Sequence, residues 1–244
     1  MKPRNLLILA ALLGSLALMA WLDGSAPSLS SVTVMEYAKD HGVSYSVYPE
    51  SLVALMESNP ETEEFVLDYP FRKIGPVDLS GYDPAEGVPL FLQWDRQWGY
   101  EPYGGDFVAV SGSGAMCLAM AGWYLSGGDD RFSPERVAAA LDGAALGTGR
   151  RLISEGSRVL GLRATGLTLE REKLTAYLRS GEPIIALMGP GDFTSEACFV
   201  VLTGCREGTV TVRDPGSRVN SETVWDFDTI AAQVKSLWVI HPET

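Results

Sequence analysis

Apolar positions recur at helical spacing in the earlier part of the chain and form short extended runs in the later part. The clearest helical pattern covers residues 114–125 and stops at Gly127-Gly128, a typical helix end. The other stretches with helical spacing or helix-start residues are 49–58, 60–69, 133–141, 150–161, 168–180 (with Thr168 as the N-cap) and 226–234. Short extended runs predict strands over 162–166, 184–188, 198–203, 209–213 and 236–241, with a hairpin turn at Glu207-Gly208. Helices that come first and an antiparallel-looking sheet that comes late predict an α+β fold.

The first 26 residues form a segment of their own. Lys2 and Arg4 precede an uncharged apolar run from Leu6 to Leu22, which is the pattern of a secretory signal peptide or a single membrane anchor. The run is slightly short of the ~20 residues that span a bilayer, and no clear small-residue cleavage site ends it. Both interpretations predict an extracytoplasmic protein, either secreted or tethered by this segment, and membrane contact only through it.

Residues 27–87 are expected to be a linker and helical lead-in, and residues 88–241 the main domain. Residues 24–46 are rich in Ser and lack a sustained period, so a linker with a weak strand or turn is expected there. Proline and glycine punctuate residues 70–87, which is typical of a boundary or a strap. The main domain then opens with a short extended run over residues 88–93.

Composition limits the classes of function. With 46% hydrophobic and 20% charged residues, the 244-residue chain has the make-up of a globular protein. Its formal net charge of −12, with no basic cluster beyond the N-terminus, disfavours nucleic-acid binding. Cys117, Cys198 and Cys205 are too few for a disulfide framework. Two thiols without a nearby His are too few ligands for a metal site, so neither a metal nor another cofactor is expected.

A turn of small residues, Ser111-Gly112-Ser113-Gly114, leads into the predicted helix over 114–125. A helix N-terminus favours negative charge, which is why many enzymes place a nucleophile there. The motifs that accompany this turn are, in chain order, Gln93-Trp94-Asp95, Trp98-Gly99, Tyr103-Gly104-Gly105, Gly181-Glu182-Pro183, Met188-Gly189-Pro190-Gly191, Phe199-Val200-Val201-Leu202-Thr203-Gly204 and Asp214-Pro215. This ordered set resembles the stand-alone members of the double-glycine (bacteriocin-leader type) peptidase family, which are papain-like cysteine peptidases. The resemblance covers residues 88–240 and implies a papain-like fold with a helical N-terminal extension.

The resemblance also assigns the site. Gln93 matches the oxyanion-hole glutamine of the family, and Asp214 matches the acid that orients its histidine. The nucleophile is not matched, because Ser113 stands where the family has Cys. The base is not matched either, because Cys198 stands where the family has His. A serine without a base is a poor nucleophile, and losing triad members costs several orders of magnitude in rate.

The leading hypothesis is therefore a catalytically inactive homologue of a double-glycine peptidase. It would bind a peptide or protein segment, Gly-rich tails included, in the former active-site cleft. Gly112, Gly114, Asp192 and Phe193 are the candidate binding residues around it. A further hypothesis is a purely structural module of the cell envelope, in which side chains fill the cleft.

The second hypothesis is a working thiol or serine hydrolase with rewired residues, through Cys117 or Ser113. Cys117 follows Ser113 by one helical turn on the same face, ~6 Å further along the axis. That offset lies outside attack geometry. A buried core thiol is therefore expected at Cys117, and a buried strand residue at Cys198. A disulfide between the two, or a redox role, is the alternative for Cys198.

Overall fold

The computed structural model describes residues 27–73, 75–146 and 149–243. The signal or anchor segment predicted over residues 1–26 lies outside them. Within the ranges described, no helix combines the length and the apolar character needed to cross a membrane. The chain forms two compact units, which divide after Pro70.

The first unit is helical. It contains α1 (Leu29–Asp40), α2 (Glu50–Ser58) and α3 (Glu63–Leu67), with single 3₁₀ turns at Tyr45–Val47 and Pro60–Thr62. The linker expected before residue 46 was wrong, because α1 occupies most of it. Ser28 caps this helix by accepting a hydrogen bond from the backbone N–H of Ser31, and Val34 and Ala38 are buried one turn apart. Two buried positions among serines are too weak a pattern to predict a helix.

The second unit begins with a strap and a small hairpin and continues with four helices. The hairpin pairs β1 (Pro102–Tyr103) with β2 (Asp106–Phe107). The helices are α4 (Val108–Ser111), α5 (Ser113–Ser126), α6 (Pro134–Gly143) and α7 (Arg150–Val159). Gly127 ends α5 in the left-handed conformation, as the sequence predicts.

A six-stranded antiparallel sheet follows, in the order β3-β8-β4-β5-β6-β7. Its strands are β3 (Leu162–Leu167), β4 (Ile184–Met188), β5 (Cys198–Arg206), β6 (Thr209–Arg213), β7 (Val224–Asp226) and β8 (Val234–Pro242). The intervening helices are α8 (Arg171–Arg179), α9 (Arg218–Glu222) and α10 (Phe227–Gln233). Glu207 and Gly208 both have positive φ and close the predicted β5–β6 hairpin. The α+β class and the late antiparallel sheet are confirmed.

The sheet is the middle layer of the second unit. Alternate residues of each central strand point to opposite faces, so Ile185 and Val201 pack with α5–α7, whereas Ile184 and Val200 pack with α8 and α10. α5 itself is buried over nearly its whole length and packs against β5. This packing places the first residue of α5 beside the first residues of β5, where the candidate site lies.

Three boundaries differ from the expected ones. Residues 71–87 fold with the second unit rather than with the lead-in, because Val77, Leu79 and Tyr82 pack against its core. Residues 88–93 form no strand, and they pair with none of the strands of the sheet. The helix expected from Thr168 is α8, whose N-cap is Glu170.

Candidate functional site

The small-residue turn brings Ser113 to the start of β5. Gly112 separates the short helix α4 from α5, and Ser113 is the first residue of α5. The Ser113 Oγ accepts a hydrogen bond from the backbone N–H of Phe199, with 3.4 Å between the heavy atoms. Phe199 directly follows Cys198, so the fold brings Ser113 close to the first residues of β5, which include Cys198. The roles that the resemblance gives to Ser113 and Cys198 stay predictions.

Both glycines of the turn are buried, and packing explains each of them. A Cβ on Gly112 would overlap the carbonyl oxygen of Val108. A Cβ on Gly114 would lie 2.5 Å from Leu152 Cδ2 and 3.1 Å from a ring carbon of Phe199. These glycines therefore allow α5 to approach α7 and β5 closely, and their role in ligand binding stays a prediction.

The two thiols near Ser113 are both free cysteines. Cys117 is buried, as expected, whereas Cys198 is half-buried rather than buried. Burial, followed by the negative charge of Asp214, raises the pKa of the Cys198 thiol far above its ordinary value. Complete burial, followed by the charges of Asp214 and Cys198, likewise raises the pKa of the Cys117 thiol. Because the thiolate is the nucleophile, a raised pKa keeps both thiols mainly protonated and weakly nucleophilic at neutral pH.

Asp214 is held by donors from the loop that follows it. Its carboxylate is 3% exposed, with Oδ1 accepting from the N–H of Gly216 and Oδ2 accepting from the amide Nδ2 of Asn220, both at 2.8 Å. Its own N–H donates to Ser221 Oγ at 2.8 Å. The sequence reasoning missed Asn220, whose only local signal is its place in the first turn of a helix capped by Ser217.

Gln93 is buried next to the same loop. Its backbone N–H donates to the carbonyl of Pro215 at 2.8 Å, and the Trp94 indole N–H donates to the carbonyl of Gly216 at 2.9 Å. The side-chain Nε2 of Gln93 donates to the carbonyl of Ala109 at 2.6 Å, while its Oε1 has no partner among the residues described. A carbonyl neighbour fixes the amide orientation, because the reversed amide would set two acceptors against each other. One of the two Gln93 donor hydrogens is thus engaged within the protein.

The chain is similar to double-glycine peptidase domains. One such structure is the peptidase domain of Streptococcus ComA, a bifunctional ABC transporter involved in quorum sensing, with TM-score 0.43, 18% identity, and 54% of this chain and 92% of that chain covered. Another is a double-glycine-motif protease from an AMS/PCAT transporter in complex with the leader peptide, with TM-score 0.39, 22% identity and coverage of 53% and 84%. A C39-like peptidase from Bacillus anthracis matches with TM-score 0.40, 17% identity and coverage of 62% and 94%. No protein-family model and no curated protein matches the chain.

The loop between β4 and β5 carries Asp192 and Phe193 beside Cys198. Asp192 is exposed, and two hydrogen bonds hold it to Gln233. Its N–H donates to Gln233 Oε1 at 2.7 Å, and its Oδ2 accepts from Gln233 Nε2 at 2.6 Å. The Phe193 ring is half-buried and lies 4.6 Å from the Trp225 ring, centroid to centroid. No local sequence pattern indicates that Gln233 holds this loop, because Gln233 lies 41 residues further along the chain.

The two imidazoles of the chain have partners of their own. His241, on β8, places Nδ1 2.8 Å from Glu182 Oε1 and meets the Tyr177 ring edge-on. His41, in the first unit, stacks on Tyr37 with 3.9 Å between ring centroids. In the part of the chain that the structure covers, no three His, Cys, Asp or Glu side chains are grouped so that they could hold a metal.

Proposed function

We propose that the second unit is a catalytically inactive relative of the double-glycine peptidases that binds a peptide or protein segment at the former catalytic site. The observation that carries this proposal is the pairing of Ser113 with the start of β5, where the base position holds the neutral thiol of Cys198. Ser113 and Cys198 stand where the family has its two reactive groups, while the residues that match its oxyanion glutamine and orienting acid, Gln93 and Asp214, are retained in the sequence.

Turnover by the family mechanism requires a deprotonated nucleophile and a group that returns a proton to the leaving amine. Ser113 Oγ meets a backbone N–H, which cannot accept its proton. The Cys198 thiol is a poor general base at neutral pH, since its raised pKa opposes thiolate formation. The carboxylate of Asp214 accepts from Gly216 and Asn220, so it serves as a structural acceptor.

A rewired thiol hydrolase is disfavoured by the burial of Cys117. Its side chain has no exposed surface, and burial keeps the thiol protonated. A substrate carbonyl would have to enter the packed interface between α5 and the sheet to reach it. The serine alternative fails for a different reason, since Ser113 lacks a base.

The proposed binding surface consists of Ser113, Asp192 and Phe193. Ser113 contacts the residue after Cys198, and the carbonyl oxygen of Phe193 lies 4.0 Å from Cys198 Sγ. Ser113 and Phe193 are half-buried and Asp192 is exposed, so each presents some surface to solvent. The rigid hold of Gln233 on the loop favours binding, because an ordered loop loses little entropy on complex formation. The apolar N-terminal segment supports the proposal that binding takes place outside the cytoplasm.

The test is binding of fluorescein-labelled peptides that end in or contain Gly-Gly, measured by anisotropy with the full chain. We expect saturable binding that Phe193→Ala weakens by about tenfold, as removal of a buried aromatic contact does. Val159→Ala, on the exposed surface of α7, is the matched control and should leave the affinity unchanged. Absence of binding to any such peptide contradicts the proposed ligand class and favours a purely structural role.

A second experiment tests the reason for inactivity. Ser113→Cys alone should not restore peptide cleavage, because no base is supplied with the thiol. Ser113→Cys combined with Cys198→His supplies both reactive groups beside Asp214, and slow cleavage after Gly-Gly is the expected result. A double variant that folds but cleaves nothing would mean that the cleft itself has diverged beyond the two substitutions.

A further inference from the structure

The first unit has a cavity that is lined by residues of that unit. Its volume is about 590 Å³, within the usual range for ligand sites. It lies between the start of α1, the end of α2 and the start of α3, and its lining includes Leu29, Met56, Glu57, Pro60 and Glu63. We call this the first-unit cavity.

Large apolar side chains are exposed along α1, and the first of them, Leu29, lines the first-unit cavity. Leu29 is 87% exposed, and Val32 and Met35, which follow it at steps of three residues along α1, are about two-fifths exposed. Large apolar side chains are normally buried, so a run of three on one short helix is a candidate contact surface. Met56 provides an apolar floor that is itself buried.

The charged side chains that line the first-unit cavity are acidic. Residues 27–70 contain eight acidic residues and a single Lys, at position 39. Two of the acids, Glu57 and Glu63, line the first-unit cavity, and both are exposed. An apolar surface with an acidic rim is complementary to a cationic segment that carries a large apolar side chain.

We infer that the first-unit cavity binds a cationic amphipathic peptide segment of a partner protein. A large apolar side chain of the ligand enters between Leu29 and Met56, and its Lys or Arg side chains meet Glu57 and Glu63. This site is independent of the one proposed for the second unit, and either can fail without the other.

The probe is a fluorescein-labelled synthetic peptide of about 15 residues, long enough to form a helix, built from Leu at helical spacing and Lys elsewhere. Anisotropy with the full chain should show saturable binding that weakens as salt is raised, because exposed charge pairs are screened. A peptide with Glu in place of Lys should not bind. Nor should one with Ser in place of Leu.

Three variants locate the site. Leu29→Ser should weaken binding by about tenfold to a hundredfold, the cost of losing one buried leucine contact. The exposure of Leu29 makes its replacement harmless to folding, which circular dichroism checks. Glu57→Gln with Glu63→Gln should weaken binding by about threefold to thirtyfold and flatten its salt dependence. Glu50→Gln, which removes an exposed acid of α2 outside the cavity, should change neither.

Two results would overturn the inference. One is an affinity for the cationic peptide that Leu29→Ser and the paired glutamine variant leave unchanged, since the peptide would then bind elsewhere. The other is no peptide binding together with a dimer, detected by sedimentation, that Leu29→Ser dissociates. That result would assign the surface to a second copy of the chain.

Discussion

Removing the side-chain amide of Asn220 should destabilise the second unit, because a buried carboxylate depends on it. Asn220 Nδ2 lies 2.8 Å from Asp214 Oδ2, and Asp214 is 3% exposed. A hydrogen bond to a charged group contributes about 1.5–3 kcal/mol, so Asn220→Ala should lower the free energy of unfolding by that amount. At about 2–4 °C per kcal/mol for a unit of this size, the Tm should fall by about 3–12 °C.

Urea unfolding followed by circular dichroism measures this loss. Val219→Ala is the matched control, since Val219 lies on the same short helix and is 62% exposed, and it should change stability by less than about 0.5 kcal/mol. Asp214→Asn completes a double-mutant cycle with Asn220→Ala, and a coupling energy of about 1 kcal/mol or more is expected. Two results would contradict this role of Asn220. One is a loss in the free energy of unfolding for Asn220→Ala that is no larger than the loss for Val219→Ala. The other is an equal loss for Asn220→Ala in the chain that already carries Asp214→Asn.

Two further predictions concern the interior around Ser113. Because the pKa values of the Cys117 and Cys198 thiols are raised in the folded chain, the protonated thiols favour the folded state below the unfolded thiol pKa of ~8.5. The free energy of unfolding should fall as pH rises above that value. Urea unfolding between about pH 7 and pH 10 should show that loss, and a variant with serine at both positions should show less of it. Gly114→Ala should cost about 1–3 kcal/mol by thermal or urea unfolding, because its Cβ would lie 2.5 Å from Leu152 Cδ2. Gly143→Ala, where the added Cβ meets nothing within 4 Å, should cost nothing.

Five of the six strands of the sheet were predictable from short extended runs and turn residues, whereas β7 was not predicted. The runs at 184–188 and 209–213 match β4 and β6 to the residue, and Glu207-Gly208 supplies the turn that a short hairpin requires. α5 was equally clear, since a long apolar run ends at a glycine. Continuous apolar runs are what a sheet covered on both faces and a buried central helix produce.

The two stretches that were predicted wrongly, α1 and residues 88–93, share a physical cause. Contacts with residues distant in sequence determine the local structure of both. α1 formed from a Ser-rich stretch because Val34 and Ala38 are buried. Residues 88–93 have a strand-like composition, yet the structure places them outside the sheet, where Gln93 contacts the loop after β6. No pattern within that window reports such a partner.

The candidate site was predictable in part. The resemblance identified Ser113, Cys198, Asp214 and Gln93, and the structure brings Ser113 to β5 and Gln93 to the loop after Asp214. The donors that hold this arrangement, such as Asn220, were not found. Asn220 lies six residues after Asp214 on the short helix α9, and a helix of five residues is too short to show a periodic pattern in the sequence.

Peptide cleavage is the measurement that tests the central claim most directly. Purified full chain is incubated in molar excess with peptides containing Gly-Gly, and products are followed by mass spectrometry. The inactive-homologue account predicts no product above the buffer control, with no change on Ser113→Ala or Cys117→Ala. Cleavage that either substitution abolishes would contradict it, because a working nucleophile would then exist in the chain.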